Sequence, residues 1–303
     1  MKKQNKKIIV RIAAGLGNQM FMYANALSLS KKNEKTLLID NVSGFFQKKN
    51  TTLERDYKLF YFNLSAKIAP FNYKYNNYWL HFIRKIIIIL DKFRKKKIFI
   101  IEHRDNNKKT YYKPIKSNSS KLQYIEGNYE SENYFKNIKK EIIKEFSIKK
   151  KYLKENIYKD LLKKNNSVSI HVRRDRFYEP IIINENKSKY KGKITFLDMI
   201  NYIYRGVEYF NKKLVKPKFF IWSNNFNNLD KFFDPKDFTF LTKNNTINDF
   251  NLFSYCKHFI VSPSSFHWWG AWLNQHSNKI CVRPKNLNPS NNKNFWPKDW
   301  ISL

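Results

Sequence analysis

Hydrophobic and polar positions along the chain fall into short strand-like runs separated by helical periods. Ile8 to Ala13 form an apolar, β-branched run ending at a glycine turn; Phe21, Ala24, Leu27 and Ser28 then recur at helical spacing, and Leu37 to Ile39 supply a second strand. This predicts a β-turn-α-β unit of about 30 residues, the opening of many open α/β sheets. Positions 53–104 are rich in aromatics and lysine, with Trp79 to Ile83 reading as helical, and 104–120 form a polar surface connection. Phe135, Ile138, Ile142 and Phe146 predict one helix face, and Leu153, Ile157 and Leu161 a second, both with lysines outside. After Lys163 to Asn166 the alternation resets: Val168, Ile170 and Val172 predict a strand, and Phe196, Met199, Ile200, Ile203 and Val207 a helix. Phe219 to Trp222, Phe238 to Leu241 and Phe259 to Val261 predict further strands, with a short amphipathic helix over Asp249 to Cys256. Ser262 to Ser265 read as a loop opening a helix that carries Trp268, Trp269 and Trp272, tryptophans expected to be packing. The expected organisation is two α/β domains, residues 1–160 and 161–303.

Composition narrows the functional classes. A content of 42% hydrophobic and 17% aromatic residues excludes wholesale disorder despite a net charge of +35. That charge attracts phosphates, nucleic acid or an anionic membrane surface. Much of it is lysine among Asn and Ile, on solvated helix faces, and Lys149 to Lys151 read as a solvated helix junction. The aromatics fit core periods rather than exposed stripes between basic residues, which argues against a nucleic-acid-binding protein. Two cysteines, Cys256 and Cys281, supply neither a disulfide scaffold nor a CxxC site and fit a reducing, cytoplasmic compartment. The apolar stretch after Lys2 to Lys7 is broken by Arg11 and is a poor signal peptide, and the longest aliphatic run, Ile86 to Leu90, is far short of the ~20 residues that span a bilayer. The expectation is a soluble or peripheral protein.

Three segments could carry chemistry. Gly15-Leu16-Gly17-Asn18-Gln19 lies between the first strand and helix, where glycines permit a tight turn and close approach of a ligand. With Asp40 ending the second strand it partly fits a dinucleotide fingerprint, but Met20 replaces the third glycine and a two-glycine match alone is weak; taken by itself the segment is better read as a plain strand-helix turn capped by Asn18. His171-Val172-Arg173-Arg174-Asp175 leaves a buried-strand pattern, and an arginine there calls for an anion or for an ion pair with Asp175. Ser264 or Ser265 at a helix start either caps the helix or joins backbone N–H groups in holding a phosphate. No Asp-x-Asp, HExxH or Walker A run occurs, so a diphosphate would have to be neutralised by protein cations and dipoles, with no metal.

In order and spacing these segments resemble the bacterial α-1,2-fucosyltransferases of glycosyltransferase family 11. Gly15 to Phe21 with Tyr23-Ala24, Gly127 with Ser131 to Phe135, His171 to Arg174, and Cys256 to His258 continuing through Ser264 to Phe266 and Trp268 to Leu273 match its motifs. The resemblance implies a GT-B-like fold of two facing Rossmann-like α/β domains with the active site in the cleft. It implies inverting transfer of L-fucose from GDP-β-L-fucose to the 2-OH of a galactoside, with a galactose-containing acceptor on the N-terminal side and the donor held by the C-terminal domain. Arg173, His171, Asn18 and Asp175 are the implied catalytic residues. Arg173, Arg174, Ser223, Asn224, Asp249, Ser264, Ser265, Phe266, Gly15 and Gly17 are the implied donor-binding set, with no metal and no cofactor beyond GDP-fucose. The family's usual Gly-Asp-Tyr after the arginines is here Asp175-Arg176-Phe177, and Asn128-Tyr129-Glu130 replaces an aromatic-Gln pattern. The alternatives are a GDP-fucose-dependent enzyme of α-1,3 or α-1,6 linkage, or a basic nucleic-acid-binding protein. A lipid-linked acceptor met at the inner face of the plasma membrane is a hypothesis drawn from the basic charge.

Overall fold

The computed structural model of the chain describes residues 6–46, 56–102, 110–116, 119–174, 196–242, 245–290 and 292–303. It separates into two compact units, Met1–Lys149 with Ser290–Phe295, and Lys150–Pro289 with Trp296–Leu303.

The first unit contains β1 (Lys7–Arg11), α1 (Leu16–Lys32), β2 (Thr36–Asp40), β3 (Lys67–Ile68), α2 (Tyr78–Leu90), β4 (Phe99–Ile101), β5 (Leu122–Glu126) and α3 (Lys139–Glu145). Its five strands are parallel in the order β3-β2-β1-β5-β4. Ile8, Ile9 and Val10 of β1 are buried on both faces, as a central parallel strand requires. Helix α1 is apolar on nearly every side and is buried from Leu16 to Ser30 except for half-buried Asn18; its basic end, Lys31 and Lys32, complements the helix dipole.

The second unit contains α4 (Tyr158–Lys164), β6 (Asn166–Val172), α5 (Phe196–Lys213), β7 (Pro217–Ser223), β8 (Phe238–Phe240), α6 (Thr246–Phe253), β9 (His258–Ile260), α7 (Ser265–Leu273), β10 (Cys281–Arg283) and β11 (Ile301–Ser302). Its six strands are also parallel, in the order β11-β10-β9-β6-β7-β8. Val168, Ile170 and Val172 share a core with Met199, Ile203, Val207 and Phe210 of α5. The opposite face of β6, Ser167, Ser169 and His171, is equally buried but polar. A strand covered on both faces is ordinarily apolar throughout, so this polar row must find partners.

The sequence pattern departs from the structure in several places. Leu153, Ile157 and Leu161 are exposed rather than a buried face; α4 starts only at Tyr158 and buries Leu162 instead. The segment from Phe135 to Phe146 is a 3-10 turn, Lys136–Ile138, followed by the short α3, because Phe135 has a non-helical backbone with φ −147. Strands β4 and β5 were not anticipated: three apolar residues and an interrupted alternation are too short a signal. Asn18 does not cap α1; Gly15 occupies the N-cap and Asn18 is the third helical residue, its N–H bonded to the Gly15 carbonyl at 3.0 Å. Trp268, Trp269 and Trp272 are buried and packed on one another, as expected.

Candidate active site

In each unit the strand-helix junctions at the carboxyl ends of the sheet are where an open α/β fold presents ligand groups. In the first unit the junction after β1 is built around Gln19. Its side chain is buried; Nε2 donates to the carbonyls of Ala14 (2.8 Å) and Asp56 (2.7 Å), and Oε1 accepts from Lys58 N–H (2.9 Å). Ala14 sits at φ 64, a conformation that costs a non-glycine residue energy, and the Gln19 bond helps hold it there. Gly15 is different: its φ is an ordinary −78, and a Cβ added there meets nothing within 4 Å. Neither conformation nor packing demands glycine at 15, and its exposed backbone is open to close approach by a ligand. Gly17 is buried within α1, and Asn18 is half-buried. Asp40 does not reach outward as a ribose-binding acid would, because its Oδ1 accepts from the backbone of Val42 (3.1 Å) and Ser43 (3.0 Å).

Gly127, at the end of β5, has φ +145 and lies against Glu102, whose carboxylate accepts from the N–H groups of Asn128 (2.8 Å) and Tyr129 (3.0 Å). A side chain at 127 would collide with the Glu102 stem at 2.3 Å, so this glycine is dictated by the fold. Beside it lies a cavity of about 790 Å³ whose lining includes Tyr111, Tyr129, Tyr134, Lys95, Lys113 and Lys116.

In the second unit β6 lies between β7 and β9, pairing His171 with Trp222, Val172 with Ser223, and Ile170 with Ile260. This register gathers three predicted segments at one end of the sheet: Arg173-Arg174, Ser223-Asn224 and Ser262 to Ser265. Arg174 N–H donates to Asn224 Oδ1 (2.9 Å), its guanidinium donates to the Asn227 carbonyl, and it lies 5.5 Å from the Phe196 ring centre. Ser223 Oγ lies 2.7 Å from the Val172 carbonyl. Arg174, Ser223 and Asn224 therefore tie the ends of β6 and β7 together. Arg173 is half-buried on the same segment, and Asp175 lies outside the described residues.

The start of α7 contrasts with these tied loops. Ser264 is the N-cap, yet its hydroxyl makes no capping bond; Ser262 Oγ and Ser264 Oγ are both buried without a hydrogen-bond partner among the described residues. Buried hydroxyls nearly always find partners, and a helix start leaves N–H groups needing them too. Ser265 is buried in the first turn, and Phe266 is half-buried, its ring 5.8 Å from His171 and 5.4 Å from Phe250. Asp249 sits in the first turn of α6.

The sequence reading passed over His267. It is fully buried, its Nε2 is 2.9 Å from Ser169 Oγ, and its Nδ1 accepts from Ser262 N–H at 3.3 Å. Those bonds assign a neutral ring with the proton on Nε2. Burial, and secondarily the nearby His171, pushes its pKa well below the usual histidine value. His267 thus pins the Ser262 loop to the polar face of β6. A lone histidine among tryptophans carries no signal of this in sequence, since the partner, Ser169, is 98 positions away.

Among the described residues no group of three or more His, Cys, Asp or Glu forms a metal-holding cluster, and no helix is long and apolar enough to cross a membrane. Both cysteines are buried and free.

Two parallel-sheet α/β units with loops gathered at strand carboxyl ends place the fold in the GT-B-like class. Solved structures of similar fold are the NodZ α-1,6-fucosyltransferase soaked with GDP-fucose (TM-score 0.50, 13% identity, 94% of this chain and 97% of that one) and POFUT1 in complex with GDP (TM-score 0.51, 12% identity, 93% and 99%). At such identities the likeness is one of fold. The profile described as Glycosyl transferase family 11 matches residues 1–303, and the chain belongs to that family. Two Escherichia coli relatives are similar over nearly their whole length: an alpha-1,2-colitosyltransferase, 27% identical over 285 residues (91% of each chain), and the O-antigen biosynthesis glycosyltransferase WbnK, 26% identical over 310 residues (96% of this chain, 99% of that one).

Proposed function

We propose that this family 11 glycosyltransferase transfers L-fucose from GDP-β-L-fucose to the 2-hydroxyl of a galactoside, with inversion and without a metal, giving an α-1,2 linkage in a surface glycan or oligosaccharide. The observation that carries the reading is the start of α7, where two buried hydroxyls, Ser262 and Ser264, lack protein partners beside the end of the strand that bears Arg173. A diphosphate supplies the missing acceptors, and helix N–H groups with the positive dipole end add to its binding. As the glycosidic bond breaks, negative charge builds on the departing phosphate oxygen. In this reading the Arg173 guanidinium and the start of α7 meet that charge and stabilise the transition state more than the ground state, a contribution of about 3 kcal/mol per donor. Attack by the acceptor hydroxyl from the opposite face converts the β-linked donor to an α-fucoside in one displacement, with no carboxylate nucleophile. In this reading His171 packs near the nucleotide. The tyrosine- and lysine-lined cavity of the first unit suits sugar rings and their hydroxyls.

The α-1,2 assignment draws on the colitosyltransferase relative, whose name carries that linkage, and the glycan acceptor draws on both relatives. The test is incubation with GDP-fucose and a panel of β-galactosides in EDTA, with GDP-colitose run in parallel, followed by linkage analysis of the product. The expected result is an α-1,2-fucoside formed at a rate the chelator does not change. An α-1,3 or α-1,6 product, a preference for the colitosyl donor, or activity only with added metal would overturn the corresponding part.

A further inference from the structure

Helix α2 turns both apolar and charged groups inward. Ile87 and Ile88 pack against the core of the first sheet, His81 is buried, Arg84 forms a two-pronged ion pair with Glu126 at the end of β5, and Asp91, just past the helix, accepts from Ile98 N–H (2.8 Å) and Phe99 N–H (2.6 Å). The outward face is apolar. Trp79, Phe82, Ile86, Ile89, Leu90 and Phe93 follow one another at helical spacing and are exposed, Trp79 by 68% and Phe93 by 85%. A helix at a water-facing surface ordinarily shows the reverse arrangement, and a contiguous apolar stripe of this kind marks an interaction site. Directly after it come Lys92, Arg94, Lys95, Lys96 and Lys97, all exposed. Asp91 is the only acid from Tyr78 to Lys97, and it is turned inward. Arg94 pairs with Asp91 at 3.4 Å, and the exposed side of this segment combines an aromatic and aliphatic stripe with a cluster of basic side chains.

We infer that α2 docks the enzyme onto an anionic lipid bilayer, lying in the plane of the interface. Thirteen residues make a helix about 20 Å long, too short to cross a hydrocarbon core of about 30 Å but suited to sinking one apolar face between headgroups. The five cations then meet lipid phosphates. They also select this occupant over a second copy of the chain, because pairing two such faces would bring two basic clusters together. Docking is independent of the donor chemistry proposed above, so vesicle binding and turnover of a small soluble galactoside report on the two separately.

The test is co-sedimentation with phosphatidylethanolamine vesicles containing phosphatidylglycerol, against vesicles of phosphatidylcholine alone. The protein is expected to pellet with the anionic vesicles and not with the neutral ones, and Trp79 emission to be quenched by brominated acyl chains. The variant Trp79→Ser/Phe82→Ser/Ile89→Ser is expected to bind at least tenfold more weakly while keeping its melting temperature and its turnover of the soluble acceptor. Absence of wild-type sedimentation, equal binding by the variant, or no quenching would overturn the inference. So would a wild-type dimer in analytical ultracentrifugation that the same substitutions dissociate, which would assign the face to a second copy.

Discussion

The junctions after β1 and before α7 are built on the same plan, a strand leading through a short small-residue loop into a helix, yet they treat their polar atoms oppositely. After β1 the side chain that matters, Gln19, makes three hydrogen bonds inside the protein, and bare backbone at Gly15 is open to the outside. Before α7 the loop is held from behind by His267, while the hydroxyls of Ser262 and Ser264 are left buried and unpaired. The first junction is a structural turn with an accessible surface; the second has unmet hydrogen-bonding demand. Unmet demand at a helix start is what an anionic ligand satisfies, and this is why the proposed function puts the donor phosphates at the second junction.

This contrast can be broken by substitution. Gln19→Leu removes three hydrogen bonds and strands two carbonyls and one N–H; denaturant unfolding is expected to show a loss of about 3 kcal/mol. A loss below about 1 kcal/mol would remove Gln19 from its structural role.

Two buried histidines make the second unit sensitive to acid. Burial, reinforced by His276 and Lys257, pushes His258 down to about 4, and His267 is also held well below the usual value. Both are neutral in the fold, whereas the unfolded chain takes up protons near pH 6.5. The stability they contribute is full above that pH and is lost as pH falls from about 6.5 toward 4. Between pH 7.5 and 5.5 unfolding free energy is expected to drop by about 2.5 kcal/mol for the pair. A flat profile would mean that these rings are hydrated or charged in the fold.

The smallest expected effect is the most discriminating. Ser264→Ala deletes a hydroxyl that has no protein partner, so its melting temperature should stay the same or rise, while GDP affinity falls about tenfold, or 1.4 kcal/mol. Destabilisation without a change in GDP affinity would make the serine a structural residue.

How much of this was legible in the sequence depended on whether the relevant partner was near in the chain. The β1-α1-β2 opening, the β6, β7 and β9 runs and the buried tryptophans carry strong local periods and match the structure. Strands β4 and β5 do not, because they are short and owe their existence to pairing with each other and with β1. The gathering of Arg173, Ser223 and Ser264 rests on a parallel register that no local pattern encodes. Trp79 to Ile83 is recognisable as helical, but the partner of Arg84 on its inward side, Glu126, lies 42 residues further along the chain. His267 was invisible for the same reason, and Asp40 misled because an acid at a strand end serves a turn as readily as a ligand.

The proposed function requires the arginine leaving β6 and the start of α7 to hold the donor diphosphate without a metal. Calorimetric titration of GDP into wild type and Arg173→Ala in the presence of EDTA measures this. The wild type is expected to bind saturably and the variant at least a hundredfold more weakly, a difference of about 2.7 kcal/mol. Equal affinity for the two proteins, or wild-type binding that appears only when a divalent cation is restored, would contradict it.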